Sequence, residues 1–231
     1  MVPGMYRIML ALAALAAPIT ASAAERRYSV TDFDRIQVDG PWRVTLVTGK
    51  PPSAVATGSN QAIDRLSLQV EGRTLRIRRG TKGGFGPAGT VDIRVSTHGL
   101  RGATVIGPGV LSIDRAKGLR LDLGLSGSGA LNIAAIEADT LVLDLLGSGQ
   151  ITAAGKAKTM RSTIQGTGGL AAEGLSVDDV TLVADTAGRI ALGVKRTAKI
   201  NATGQGEVEI IGKPSCTIKA IGSALVRCGK D

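Results

Sequence analysis

The chain has 231 residues, with 28 Lys and Arg against 19 Asp and Glu, a formal net charge of +9 and 43% apolar residues. Two Phe, two Tyr and one Trp are too few for an ordinary aromatic-filled globular core, so a narrow core of Leu, Ile, Val and Ala is expected. A single histidine excludes a multi-histidine metal centre, and no stretch approaches the ~20 apolar residues of a transmembrane helix.

The N-terminus reads as an export signal. Arg7 supplies a positive start, Ile8 to Ala17 an apolar run, and Ala21-Ser22-Ala23 a small-residue cleavage site. Residues 1–23 are therefore assigned to a signal peptide, with cleavage expected between Ala23 and Ala24. No cysteine stands at that site, so a lipid anchor is not expected. With Arg7 removed, 27 basic and 19 acidic residues leave a net charge of about +8 on the mature chain. Export makes nucleic acid an unsuitable partner. If the charge does more than confer solubility, it suits polyanionic envelope material such as lipopolysaccharide or acidic polysaccharide.

Residues 28–106 alternate apolar and polar in short runs, at Phe33 to Val38, Trp42 to Val47, Leu66 to Val70, Leu75 to Arg79 and Val91 to Val95. Asp39-Gly40-Pro41, Gly49-Lys50-Pro51-Pro52 and Glu71-Gly72 separate them, the pattern of strands joined by turns. Arg73, Arg76, Arg78, Arg79 and Lys82 cluster just before a Gly83-Gly84-Phe85-Gly86-Pro87 loop and form the one candidate ligand-binding patch. His98 lies in a Thr-His-Gly turn and reads as surface.

From Gly107 a phrase of about 20 residues repeats. Its turns are Gly107-Pro108-Gly109, Gly127-Ser128-Gly129, Gly147-Ser148-Gly149, Gly166-Thr167-Gly168, Thr186-Ala187-Gly188, Gly204-Gln205-Gly206 and Gly222-Ser223-Ala224. Positions six, four and two before the turns are nearly always apolar (Leu141, Leu143, Leu145), and positions four and six after them repeat the pattern (Leu131, Ile133). Ser162 is the single polar residue in the columns before the turns. Like residues at matching positions favour stacked parallel coils over a sandwich of hairpins. The expectation is an all-β parallel β-helix of seven coils with two inward faces each, a rod on the order of 30 Å long. A single domain over 24–231 is expected, with irregular covering coils over 28–106 and regular ones over 107–231. The glycines are assigned to bends that need positive φ.

The opening Phe33-Asp34-Arg35-Ile36-Gln37-Val38-Asp39-Gly40, then Trp42-Arg43-Val44-Thr45-Leu46-Val47-Thr48-Gly49, then serial Gly-Ser-Gly turns resemble the bacterial exported family called putative auto-transporter adhesins, head GIN domain. The likeness covers about residues 31–227 and implies a right-handed parallel β-helix. It implies an adhesin-like role and brings no catalytic residues. Thr186 and Ala224 depart from its paired-glycine turns, which opens the geometry of those two corners.

No catalytic or metal-binding constellation is legible, and no cofactor is implied. Asp122 and Asp144 fall in neighbouring coils but in offset columns, and no third acid joins them. Cys216 and Cys228 form an even pair suited to an oxidising compartment, and a bridge closing that loop is expected if the last coil narrows. Small outward residues such as Ala130, Ala134, Ala154, Gly169, Ala171, Ala191 and Gly193 suggest a flat strip able to accept a partner. The reading is a non-enzymatic exported binding or adhesion module of the cell envelope, periplasmic or at the surface. An unknown polymer or protein is its partner, and self-association stays open. A polysaccharide-cleaving enzyme working beside Asp122 and Asp144, or a structural envelope protein, are the alternatives.

Overall fold

The computed structural model describes residues 24–80 and 90–230. The segment expected to be a signal peptide, with Ala23, and likewise Lys82 and the Gly83 to Pro87 loop, lie outside the described residues. The elements in chain order are β1 (Ala24–Tyr28), β2 (Arg35–Asp39), β3 (Arg43–Thr48), β4 (Ser53–Gly58), helix α1 (Asn60–Asp64), β5 (Leu66–Glu71), β6 (Thr74–Arg79), β7 (Asp92–Thr97), β8 (Gly102–Ile106) and β9 (Val110–Ile113). Long bent strands follow: β10 (Ala116–Gly127), β11 (Ala130–Gly147), β12 (Gln150–Gly166), β13 (Gly169–Thr186) and β14 (Arg189–Gly204). The chain ends in β15 (Glu207–Ile211), β16 (Ser215–Ala220) and β17 (Leu225–Lys230).

These strands wind into a parallel β-solenoid of about six turns, against the seven coils expected from the glycine turns. Leu121 pairs with Leu141, Leu141 with Met160, Met160 with Val180, Val180 with Ala198 and Ala198 with Cys216, so every coil lays its core residue on the one before. Ser162 sits in such a column between Leu143 and Leu182, buried, and its hydroxyl donates to the Leu143 carbonyl at 2.7 Å. That bond removes most of the cost of placing a hydroxyl in an apolar stack.

Each coil has three inward faces, one more than the sequence pattern suggested. Leu141, Leu143 and Leu145 fill the first wall, Leu131 and Ile133 the second, and Ile136 and Ala138 the third, all buried. The third wall also stacks in register: Ala116 on Ile136, Ile136 on Gly155, and Gly155 on Leu175. Register shifts between Ile133 and Ile136, and between Thr152 and Gly155, mark the corner that separates it from the second wall.

The N-terminal region follows an order that the sequence reading missed. β2 lies between β6 and β8, and β3 between β7 and β9, all parallel. The first coil of the chain is thus enclosed in the stack, and the later β6 and β7 form the outer layer. Beyond them the pairing turns antiparallel, β4 on β7, β1 on β4 and β5 on β6. The two largest buried side chains, Trp42 and Phe33, lie in this region, and α1 adds Ala62 and Ile63.

Candidate functional site

The third wall presents a trough to solvent. Its outward residues are Lys117, Glu137, Lys156 and Ser176 in one register column. Two positions on, at the corner leading to the first wall, stand Leu119, Asp139, Lys158, Asp178 and Lys195. Between the two columns the floor is Gly118, Ala138 and Ala157, whose small side chains keep it low. The resulting groove has a volume of about 670 Å³ and crosses five coils.

The charges in it are ordered. Lys117 Nζ lies 3.2 Å from Glu137 Oε1, Lys156 Nζ 3.8 Å from the same oxygen, and Lys158 Nζ 2.8 Å from Asp139 Oδ1. In a parallel stack identical charges would sit one strand spacing apart and repel. Alternating their sign turns that repulsion into a ladder of ion pairs. The Lys117 ammonium, hydrogen-bonded to Glu137 and helped by Lys156, holds that carboxyl below the ordinary glutamate range. Asp139 accepts from Lys158 and pushes the lysine up. Asp179 is lowered by the Thr197 hydroxyl, which donates at 2.7 Å, and by Arg196. Lys195 makes no ion pair among the described residues.

The groove continues toward the capped end through Lys117, Gly118 and Leu119 into a recess of about 450 Å³. Arg73, Arg101 and Arg120 face Asp32, Asp34 and His98 there. Arg73 Nε is 3.1 Å from Asp34 Oδ2, Arg73 Nη2 is 3.4 Å from Asp32, and His98 Nδ1 is 3.2 Å from the other oxygen of Asp32. Leu119, at the junction of the two hollows, is 80% exposed.

The basic cluster predicted from sequence is divided by the structure. Arg73, the one non-glycine residue with positive φ among the described residues, turns into the recess just described. Arg76 and Arg78 alternate with buried Leu75 and Ile77 on β6 and pair with Glu71, at 3.1 and 3.7 Å. Arg76 lines a separate hollow on the first wall. Arg79 is exposed at the strand end, and Lys82 lies outside the described residues. Asp122 and Asp144 stay in offset columns, Asp122 beside Val142 and Asp144 beside Gly124. Asp122 pairs with Arg120 at 2.8 Å and faces Arg35 at 3.6 Å, while Asp144 accepts the Thr163 backbone N–H at 3.1 Å.

The strip of small residues is only partly open. Gly169 and Ala191 are buried, and Arg189, paired with Glu209 at 2.6 Å, spans this part of the second wall. Cys216 and Cys228 face each other across the last coil with Cα atoms 6.7 Å apart. That separation lies within the ~7 Å that a bridge allows.

The groove residues carry a signal of their own in the sequence, because Lys117, Glu137 and Lys156, and Asp139, Lys158 and Asp178, recur at the coil period. Counting outward positions only around the glycine turns passes them by.

The fold and groove define a parallel β-solenoid scaffold whose chemistry sits on its outer walls. Several solved structures share this fold. A putative adhesin from Bacteroides fragilis is 18% identical, covers 90% of this chain and 97% of its own, and superposes with a TM-score of 0.83. A putative lipid binding protein from Parabacteroides distasonis is 20% identical over 89% of this chain and 96% of its own, with a TM-score of 0.71. A putative adhesin from Parabacteroides merdae is 19% identical over 89% and 95%, with a TM-score of 0.67. The chain belongs to the family described as putative auto-transporter adhesin, head GIN domain, whose model matches residues 32–214. No curated protein matches it in sequence.

Proposed function

We propose that this protein is an exported, non-enzymatic binding module of the bacterial cell envelope, and that the third-wall groove holds its ligand. The observation that carries this reading is the open groove of about 670 Å³ running across five stacked coils. A rigid scaffold that repeats a polar trough at every coil fits an extended polymer, because many weak contacts then add without ordering cost on the protein side. The family assignment points the same way. Asp122 and Asp144 are each engaged by neighbouring groups, an arrangement that favours binding over paired acid and base chemistry.

The test is an array of envelope glycans, phospholipids and peptidoglycan fragments, read for retention and, in parallel, for turnover. Retention without cleavage is the expected result, and release of shortened polysaccharide overturns it. Export is tested by sequencing the N-terminus of the protein recovered outside the cytoplasm, expected to begin at Ala24.

A further inference from the structure

Taken coil by coil, the groove is a set of rungs whose sign alternates along the axis. The first rung carries Lys117, the second Glu137 and Asp139, the third Lys156 and Lys158, the fourth Asp178 and the fifth Lys195. Where two charged residues share a rung they have the same sign, so the order is positive, negative, positive, negative, positive. Neighbouring coils of a parallel stack are spaced by one strand, so like rungs recur roughly every 9.5 Å.

That length selects among extended polymers. An extended peptide returns a side chain to the same face every second residue, roughly every 6.7 Å, and drifts out of phase with the rungs. A linear glycan repeats every disaccharide, close to the two-coil distance. We infer that the groove binds a linear acidic glycan bearing one anionic group per disaccharide, laid along the solenoid axis. This inference rests on the binding-module reading and names the ligand class of the same site. Carboxylates or sulfates of the charged sugars meet the lysine rungs, while hydroxyls of the intervening neutral sugars donate to Glu137, Asp139 and Asp178. A glycan charged on every sugar places half its anions over carboxylates and is repelled there.

The ion pairs already in the groove do not bar this. All are solvent-exposed contacts of low individual strength, which a ligand anion can replace. Repetition on a rigid frame supplies the affinity that no single lysine does.

The experiment compares three probes by calorimetry at low and physiological salt: hyaluronan oligosaccharides, with one carboxylate per disaccharide; oligogalacturonate, with one on every sugar, matched in total charge; and neutral chito-oligosaccharides. Hyaluronan is expected to bind at least tenfold more tightly than either, and to weaken as salt rises. Lys156→Glu with Lys158→Glu should lower that affinity tenfold or more. Glu137→Gln with Asp139→Asn should instead raise oligogalacturonate affinity several-fold, a gain that a misfolded variant does not give. Oligogalacturonate binding as well as hyaluronan, indifference to both pairs of substitutions, or preferential capture of phosphatidylglycerol vesicles each overturns the glycan inference while leaving a binding module. Failure to retain any glycan, lipid or peptidoglycan overturns the module reading with it.

Discussion

At the corners of the solenoid the two glycines of each turn serve different physical ends. The first has positive φ, +126° at Gly127 and +120° at Gly147, and a methyl group on Gly147 would stand 2.6 Å from the Gly127 carbonyl oxygen one coil below. The second, as at Gly149, lacks positive φ but approaches the preceding coil so closely that a Cβ would meet the Gly129 oxygen at 2.5 Å. Positive φ explains one column and close stacking the other, where the sequence reading gave a single cause for both. Thr186 is the exception that fits. It takes no positive φ, and its buried hydroxyl donates to the Gly168 carbonyl at 3.0 Å and accepts the Gly188 N–H at 2.9 Å. Gly147→Ala is accordingly expected to cost about 3 kcal/mol or more by urea unfolding, combining strain and clash. Gly49→Ala, at φ +78° with open space around it, should cost only about 1 kcal/mol. Equal losses would remove the stacking argument. In the groove, Glu137 titrates below the ordinary value near 4.5 in the folded protein. Its contribution is therefore complete above that value and disappears as pH falls through the lowered one. Carbon-detected NMR titration should show the low midpoint, and Lys117→Gln should move it upward.

Among the elements, the first and second walls were legible and the third was not, for a reason visible in the backbone. Fixed offsets from a glycine turn hold until the register shifts beside Ala134 and Ala135, after which coils of different length fall out of phase. The third wall also hides its pattern chemically. Gly118, Ala138, Gly155 and Ala157 fill inward or floor positions where an apolar-period search expects Leu or Val. Its charges alternate in sign between coils, so no column reads as uniformly basic or acidic. Fixed spacing likewise does not show that the hairpin turn sends Arg73 into the recess while Arg76 and Arg78 share one face of β6 and the carboxylate of Glu71. The cysteine pair, by contrast, was placed by offset alone on facing strands of the last coil. A bridge there should leave no free thiol in unreduced, denatured protein, and reduction should lower stability by about 3 kcal/mol in the chain-entropy model. Two thiols before reduction would rule it out.

Over the whole molecule the two ends are unlike, and this governs how it comes apart. At the N-terminal end β1, β4 and β5 pair antiparallel around the outermost coil, and α1 buries Ala62 and Ile63 against the core. The order that builds this cap, with β2 and β3 enclosed by later strands, depends on contacts far apart in sequence, so local patterning does not disclose it. At the other end β16 pairs only with β14, and β17 only with β15, among the described residues. Ile218 stands in a core column yet is 44% exposed, with Ile221 at 53% and Leu225 at 48% nearby. A solenoid is close to one-dimensional: each coil is held by its neighbours, and a coil with one neighbour opens first. Amide exchange should therefore be fastest in β16 and β17 and slowest in β11 to β13, with β6 and β7 protected despite lying near the opposite end. Cys216 and Cys228 tie the two strands of the last coil together, so reduction should extend the fast-exchanging region into β15 and the end of β14 while leaving the cap unchanged. Exchange that is uniform along the stack, or fastest in β6 and β7, would show that the antiparallel strands do not protect their end and that the coils unfold as one unit.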